Sequence, residues 1–190
     1  EARYNMRNLN PNFKVVLIRA STFLKMGKLE PLGQVRDRMS LGEHYKIFQK
    51  IKAFDEFLLD NVTIYLSHSW NAASSPDDAD NSKYTLMNHA VTSLKMKKGF
   101  AMDKAWVWVD YSCIDFTSSE QKYLASQHLP LVCGSLGNFL AIAPCPPGVQ
   151  YGGDEAFLKY ASRGWCKSEM AHFITRNGFD DIYIVSDCKH

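Results

Sequence analysis

The side chains best placed to do chemistry form one short run, Arg163-Gly164-Trp165-Cys166-Lys167-Ser168-Glu169. At about 100° per residue, helical spacing puts Trp165, Glu169 and His172 on one narrow face. Cys166, Met170, Phe173 and Ile174 fan out beside them toward a core. Glu169 then stands on the border of a buried stripe, next to a Trp ring, where partial loss of water raises a carboxyl pKa. A carboxylate in that position supports cationic charge developing on a sugar ring. The same spacing also suits a boundary glutamate bonded to a neighbouring lysine or backbone amide, with no chemistry. A second group, Ser67-His68-Ser69-Trp70, gathers hydroxyls, an imidazole and an aromatic platform where a β-rich run ends. Strand-end Ser-His pairs serve plain turns as well. Asp110, followed by Tyr111, closes the run AWVWVD and suits either a ribose hydroxyl or the cap of the next segment.

Other chemistries lack their signatures. No G-x-S-x-G elbow supports Ser/His/Asp hydrolysis, and no G-x-G-x-x-G or Walker sequence points to a standard Rossmann dehydrogenase or an NTPase. Asp77, Asp78 and Asp80 lack the spacing and glycine of a calcium loop, so a solvated loop and no metal site are expected. Lys95, Lys97 and Lys98 read as a wet helix end that favours the helix dipole. Lys+Arg number 22 against 20 Asp+Glu, a formal charge of +2 that gives no basis for binding nucleic acid or an anionic membrane. Five scattered cysteines, never in a C-x-x-C pair, read as reduced thiols in the cytoplasm. No run approaches the roughly 20 apolar residues of a membrane span, and the first residues carry no secretory h-region. The chain opens on Glu1 rather than Met, which reads as an excerpt of a longer protein.

These groups need elements to hold them. FKVVLIRA (13–20) is a strand or a buried helix, and periodicity does not choose. Tyr45, Phe48, Ile51, Phe54, Leu58 and Leu59 recur at steps of three and four, which predicts one amphipathic helix over 41–60. From residue 61 strands and helices alternate. Strands are expected at 61–67, 104–109, 138–143 and 180–187. Helices are expected at 83–98 (capped by Gly99), at 120–127 (broken before Pro130), and from about 154 to 176, interrupted at Gly164 and closed by Gly178. Such alternation implies βαβ units around a parallel sheet, with any ligand just outside the strands' carboxyl ends. Ser67 to Trp70 and Asp110-Tyr111 then share one edge.

Together these residues resemble the TIR superfamily over about 125 residues, from Asn61 onward. Tyr65-Leu66-Ser67-His68 is similar to the family's opening strand, Val107-Trp108-Val109-Asp110 to its second, and Phe139-Leu140-Ala141-Ile142-Ala143 to a later one. The most diagnostic motif, S-x-W-C-x-x-E, is matched by Ser162 and Trp165-Cys166-Lys167-Ser168-Glu169 with one extra residue before the Trp. The R-G-W-C-x-x-E ending resembles TIR-like sequences of protists. Ser67-His68-Ser69-Trp70 with Trp108-Val109-Asp110 and Cys113-Ile114-Asp115 also looks like HET domains, although Phe116 stands where those have Gln.

The resemblance implies a flavodoxin-like three-layer α/β sandwich with a short parallel sheet over residues 61–190. Residues 1–60 would form an N-terminal helical extension packed on it. It implies cleavage of the nicotinamide–ribose bond of NAD, with NAD as substrate and no cofactor. Glu169 would be the catalytic carboxylate, and Ser67, His68, Trp70, Asp110, Tyr111 and Trp165 would bind substrate. It also implies homo-oligomerisation. A non-catalytic assembly module, or a nucleoside N-glycosidase or deoxyribosyltransferase, would follow from the same features.

Overall fold

The computed structural model describes residue 10 and residues 12–72, 75–145 and 153–187. One mixed sheet of six strands organises them: β1 (Val15–Arg19), β2 (Tyr45–Phe48), β3 (Val62–His68), β4 (Ala105–Trp108), β5 (Asn138–Ile142) and β6 (Ile182–Val185). Their order across the sheet is β2-β1-β4-β3-β5-β6. The pairs β4/β3, β3/β5 and β5/β6 are parallel, and β1 runs antiparallel to both its neighbours. Eight helices flank it: α1 (Ala20–Phe23), α2 (Leu32–Arg38), α3 (Ile51–Asp60), α4 (Ser82–Lys98), α5 (Asp110–Cys113), α6 (Ser119–Ser135), α7 (Gly153–Ala161) and α8 (Gly164–Asn177). The fold is the flavodoxin-like α/β class.

The central strands need no polar face. β4 and β5 are buried at every residue, and β3 at all but its first, as a parallel sheet with covered faces requires. Parallel register sets Tyr65 opposite both Trp108 and Phe139. The three rings stack at centroid distances of 4.5 and 5.3 Å, and Phe173 of α8 packs on Phe139. β6, at the edge, is only partly covered.

The first 60 residues contribute the three helices α1 to α3 and also two strands of this same sheet. FKVVLIRA resolves as β1. The single helix expected over 41–60 is corrected: Tyr45–Phe48 is β2, and the helix is confined to Ile51–Asp60. The open edge of β1 has backbone donors and acceptors to satisfy, and β2 pairs with it from Ile18↔Tyr45 to Val15↔Phe48. α6 is also longer than expected. It continues through Pro130 to Ser135, because a proline removes one ladder bond while packing against α8 holds the rest. Cys133 Sγ bonds the Glu169 carbonyl there, and a Cβ on Gly134 would lie 3.0 Å from Arg176 Cδ.

The helix dipole and caps follow the sequence closely elsewhere. Gly99 (φ 70°) and Gly178 (φ 76°) end α4 and α8 in the left-handed region that glycine tolerates. Lys98 pairs with Asp181, and Lys97 lies 4.5 Å from the Tyr183 ring, so that helix end is tied to β6 rather than simply wet. Cys113, Cys133 and Cys166 are buried free thiols. Cys145 is disulfide-bonded, which corrects the expectation that all five cysteines are reduced. Among the described residues no helix is long and apolar enough to cross a membrane.

Candidate functional site

From β3 the chain crosses to β4 on one side, by way of α4. From β5 it crosses to β6 on the other, by way of α7 and α8. The strand order reverses there, and the crevice outside the carboxyl ends is where doubly wound sheets bind ligands. A cleft of about 490 Å³ opens at that end, lined by His68, Trp70, Asp110, Phe116, Arg163 and Trp165 among others. A larger groove of about 1030 Å³ runs along α4 and β6, but it contains none of the candidate catalytic or substrate-binding residues.

Glu169 sits one helical turn below the cleft wall that Trp165 and Cys166 form. It is only 3% exposed. Tyr65 and Ser67, two residues apart on β3, point to the same sheet face and meet it there. Tyr65 Oη donates to Oε1 at 2.9 Å, and Ser67 Oγ bonds Oε2. Ser67 Oγ also contacts Tyr160 Oη from α7 at 2.5 Å. Burial pushes the Glu169 carboxyl up to about 8, with the charge of Asp110 adding to it; hydrogen bonds from Ser67, Tyr65 and Trp165 pull the other way. At neutral pH Glu169 is therefore mainly a neutral acid. Burial, then the nearby Glu169, raises both Tyr65 and Tyr160 well above an ordinary phenol, so both remain O–H groups. Burial also pushes the Cys166 thiol up to about 12, which rules out a thiolate nucleophile at neutral pH.

A second network forms the rim. Asp110, the first residue of α5, accepts from three donors: His68 Nε2 at 3.0 Å, Trp70 Nε1 at 2.7 Å and its neighbour Tyr111 N at 2.6 Å. The Trp70 ring meets Tyr111 and Phe116 edge-on at 5.5 and 5.0 Å. Asp110 thus opens α5 and ties two strand ends together.

The residues anticipated from sequence separate into two layers. His68, Trp70, Asp110 and Trp165 line the cleft, Tyr111 packs behind Trp70, and Ser67 and Glu169 lie beneath the floor. Sequence reasoning missed Tyr65 and Tyr160. The alternation of Tyr65 with Ser67 was the available signal for the first; Tyr160 lies 93 residues from its partner and gave none. Arg163, just ahead of α8, and Phe116 also line the cleft. The expected solvated loop at Asp77 is corrected. Asp77 is buried and accepts from the Lys83 and Tyr84 amides at 3.0 and 2.8 Å, capping α4. The Lys83 ammonium turns back to Ser69 O and Asn71 Oδ1, with Pro76 O at 3.4 Å, and pins the loop beside the cleft. Among the described residues no cluster of His, Cys, Asp and Glu is arranged to hold a metal ion.

Comparison with known proteins finds no match. No family model, no curated protein and no solved structure is similar to this chain. The resemblance to TIR domains rests on the motif residues alone.

Proposed function

We propose that the cleft binds an N-ribosylpyridinium nucleotide of the NAD type and that Glu169 promotes cleavage of its nicotinamide–ribose bond. The observation that carries this reading is a carboxyl group buried at the ligand-binding end of a parallel sheet and bonded by Tyr65 and Ser67, where burial pushes it up to about 8. A cationic pyridinium brought near it lowers that pKa and draws out the carboxylate, so the charge forms where it is used. The C1′–N electron pair then returns to the pyridine ring, and nicotinamide leaves neutral without needing an acid. The carboxylate supports the oxocarbenium-like ribose, water adds its oxygen at C1′, and its proton is released. Trp70, Phe116 and Trp165 supply aromatic faces for the rings, and Arg163 a cation for phosphate. A cytoplasmic location and assembly through like domains belong to the same proposal.

One observation favours a second reading. Glu169 has both oxygens engaged and does not itself line the cleft. In that case it is a keystone between β3 and α8, and the domain is a non-catalytic assembly module. The two readings separate when concentrated or surface-clustered protein is incubated with NAD and free nicotinamide is measured. Release that Glu169→Ala abolishes, with the fold retained, supports catalysis. No release from clustered protein leaves the module.

A further inference from the structure

A second cavity, of about 470 Å³, lies at the other end of the sheet and, among the described residues, shares no lining side chain with the cleft. β1 runs antiparallel to β4, so its last residue, Arg19, pairs with Trp106 near the start of β4, and Trp106 pairs in turn with Thr63 near the start of β3. Arg19 therefore stands at the amino ends of the parallel strands. Its guanidinium stacks on the Trp106 ring at 4.6 Å and donates from Nε to Glu43 O and from Nη1 to Asp103 O, each at 2.5 Å. Those contacts hold the group still without neutralising it. Both acceptors are uncharged carbonyls, most of its N–H donors are unspent, and no carboxylate among the described residues pairs with it. Lys25 and Arg38 line the same cavity, with Glu43 as its one acid among the described residues. Arg38 is answered by the buried Glu30 at 2.6 Å, and the Glu43 side chain is 75% exposed; Lys25 has no ion partner among the described residues. Thr22 adds an independent sign. It is only 9% exposed and lines the cavity, yet its hydroxyl makes no hydrogen bond among the described residues, and neither does that of its neighbour Ser21. A buried hydroxyl without a partner costs free energy and calls for an explanation.

We propose that this cavity binds a phosphate group, free or carried on a small sugar, through Arg19, Lys25 and the hydroxyls of Ser21 and Thr22. A fixed guanidinium fork, an unpaired ammonium and two unspent hydroxyls are the donors that a tetrahedral dianion takes up. The volume exceeds that of one phosphate, and Met39 is the only apolar residue in the lining among the described residues, so the remaining space suits a polar body rather than an apolar one. The site is built from residues 19–44, outside the stretch that resembles TIR domains, and gives that segment a ligand of its own. It does not depend on the reading of the Glu169 cleft.

Amide NMR of the full chain tests this, with inorganic phosphate, ribose-5-phosphate and ribose as probes and sodium chloride holding the ionic strength constant. Phosphate and ribose-5-phosphate shift the Ser21, Thr22 and Lys25 amides and the Arg19 Nε–H to saturation, and ribose does not. Tighter binding of ribose-5-phosphate assigns the site to a phosphorylated sugar, and equal affinities assign it to free phosphate. Thr22→Val keeps the shape and removes a hydroxyl that makes no bond within the described protein. It should therefore fold as well as the wild type yet weaken phosphate binding about fivefold. Lys25→Gln, at an exposed position, should weaken it by a similar factor. A response that never saturates, shifts confined to residues 163–166 at the cleft, or folded variants that bind phosphate as the wild type does would each overturn the site.

Discussion

Replacing Glu169 by Gln should stabilise the protein, by an amount that grows with pH. The folded carboxyl has a pKa of about 8 against 4.5 for an ordinary glutamate. Between those values the native state holds a proton that the unfolded chain releases, so raising the pH favours unfolding. Each pH unit in that window removes at most about 1.4 kcal/mol. The wild-type protein therefore gives up about 3 kcal/mol by pH 7 and about 4 kcal/mol by pH 8, and the loss levels off near about 5 kcal/mol above pH 9. Gln reproduces the hydrogen-bond pattern of the protonated acid. Its carbonyl can take the Tyr65 hydroxyl, and its amide can donate to Ser67 Oγ, whose own hydrogen turns to Tyr160. Gln has no charge to form, so it escapes the penalty. Urea unfolding of both proteins from pH 5 to 9 checks this, since every other titrating group is shared and cancels in the difference. The two stabilities should nearly coincide at pH 5 and diverge until about pH 9. Curves that stay parallel, or a wild type that gains on the variant as pH rises, would refute the claim that burial holds this carboxyl neutral.

Three further outcomes follow from the same geometry. Ser67→Ala removes the hydroxyl shared by Glu169 and Tyr160 and leaves two buried polar groups short of a partner; it should cost about 1–3 kcal/mol, read as a lower urea midpoint at unchanged slope. Lys83→Met keeps the buried stem but deletes the ammonium that holds Ser69 and Asn71, so amide exchange over residues 69–72 should speed up while that of β5 stays the same; equal protection in both proteins would contradict the pin. Cys166, whose thiol burial raises to about 12, should resist iodoacetamide at pH 8 in the folded protein and react once urea unfolds it. Mass spectrometry of the modified peptides reads this directly, and rapid labelling of the native protein would show the thiol to be accessible.

Much of this architecture can be read along the chain because some segments have only one way to fold. VTIYLSH, AWVW and NFLAI are too apolar and too rich in β-formers to be anything but buried strands, and Gly99 and Gly178 stop helices where only left-handed backbone continues. The break at Gly164 lies where α7 gives way to α8. What the sequence hides is decided by distant partners. Tyr45 to Phe48 has helical spacing, yet the unpaired edge of β1 claims it as a strand. Pro130 is a breaker in isolation and an internal residue once α8 supports the helix. Asp77 looks solvated until Lys83 and Tyr84 turn their amides toward it. The candidate site divides the same way. Its parts, Ser67, His68, Asp110, Trp165 and Glu169, stand out by type and position, but their arrangement in two layers does not. Burial of the carboxyl beneath the cleft depends on Tyr65, which reaches it across about 100 residues of chain, and on Ser67, which Tyr160 meets across about 90.

The dependence of nicotinamide release on pH tests the central assignment most directly. With clustered wild-type protein and NAD well below saturation, the rate reports the free protein's ionisations. It should rise about tenfold per pH unit from pH 6 and flatten near 8 as the Glu169 carboxylate forms, with Glu169→Gln folded and at background throughout. A rate that ignores pH across this range, or one that survives the Gln substitution, would contradict a catalytic Glu169.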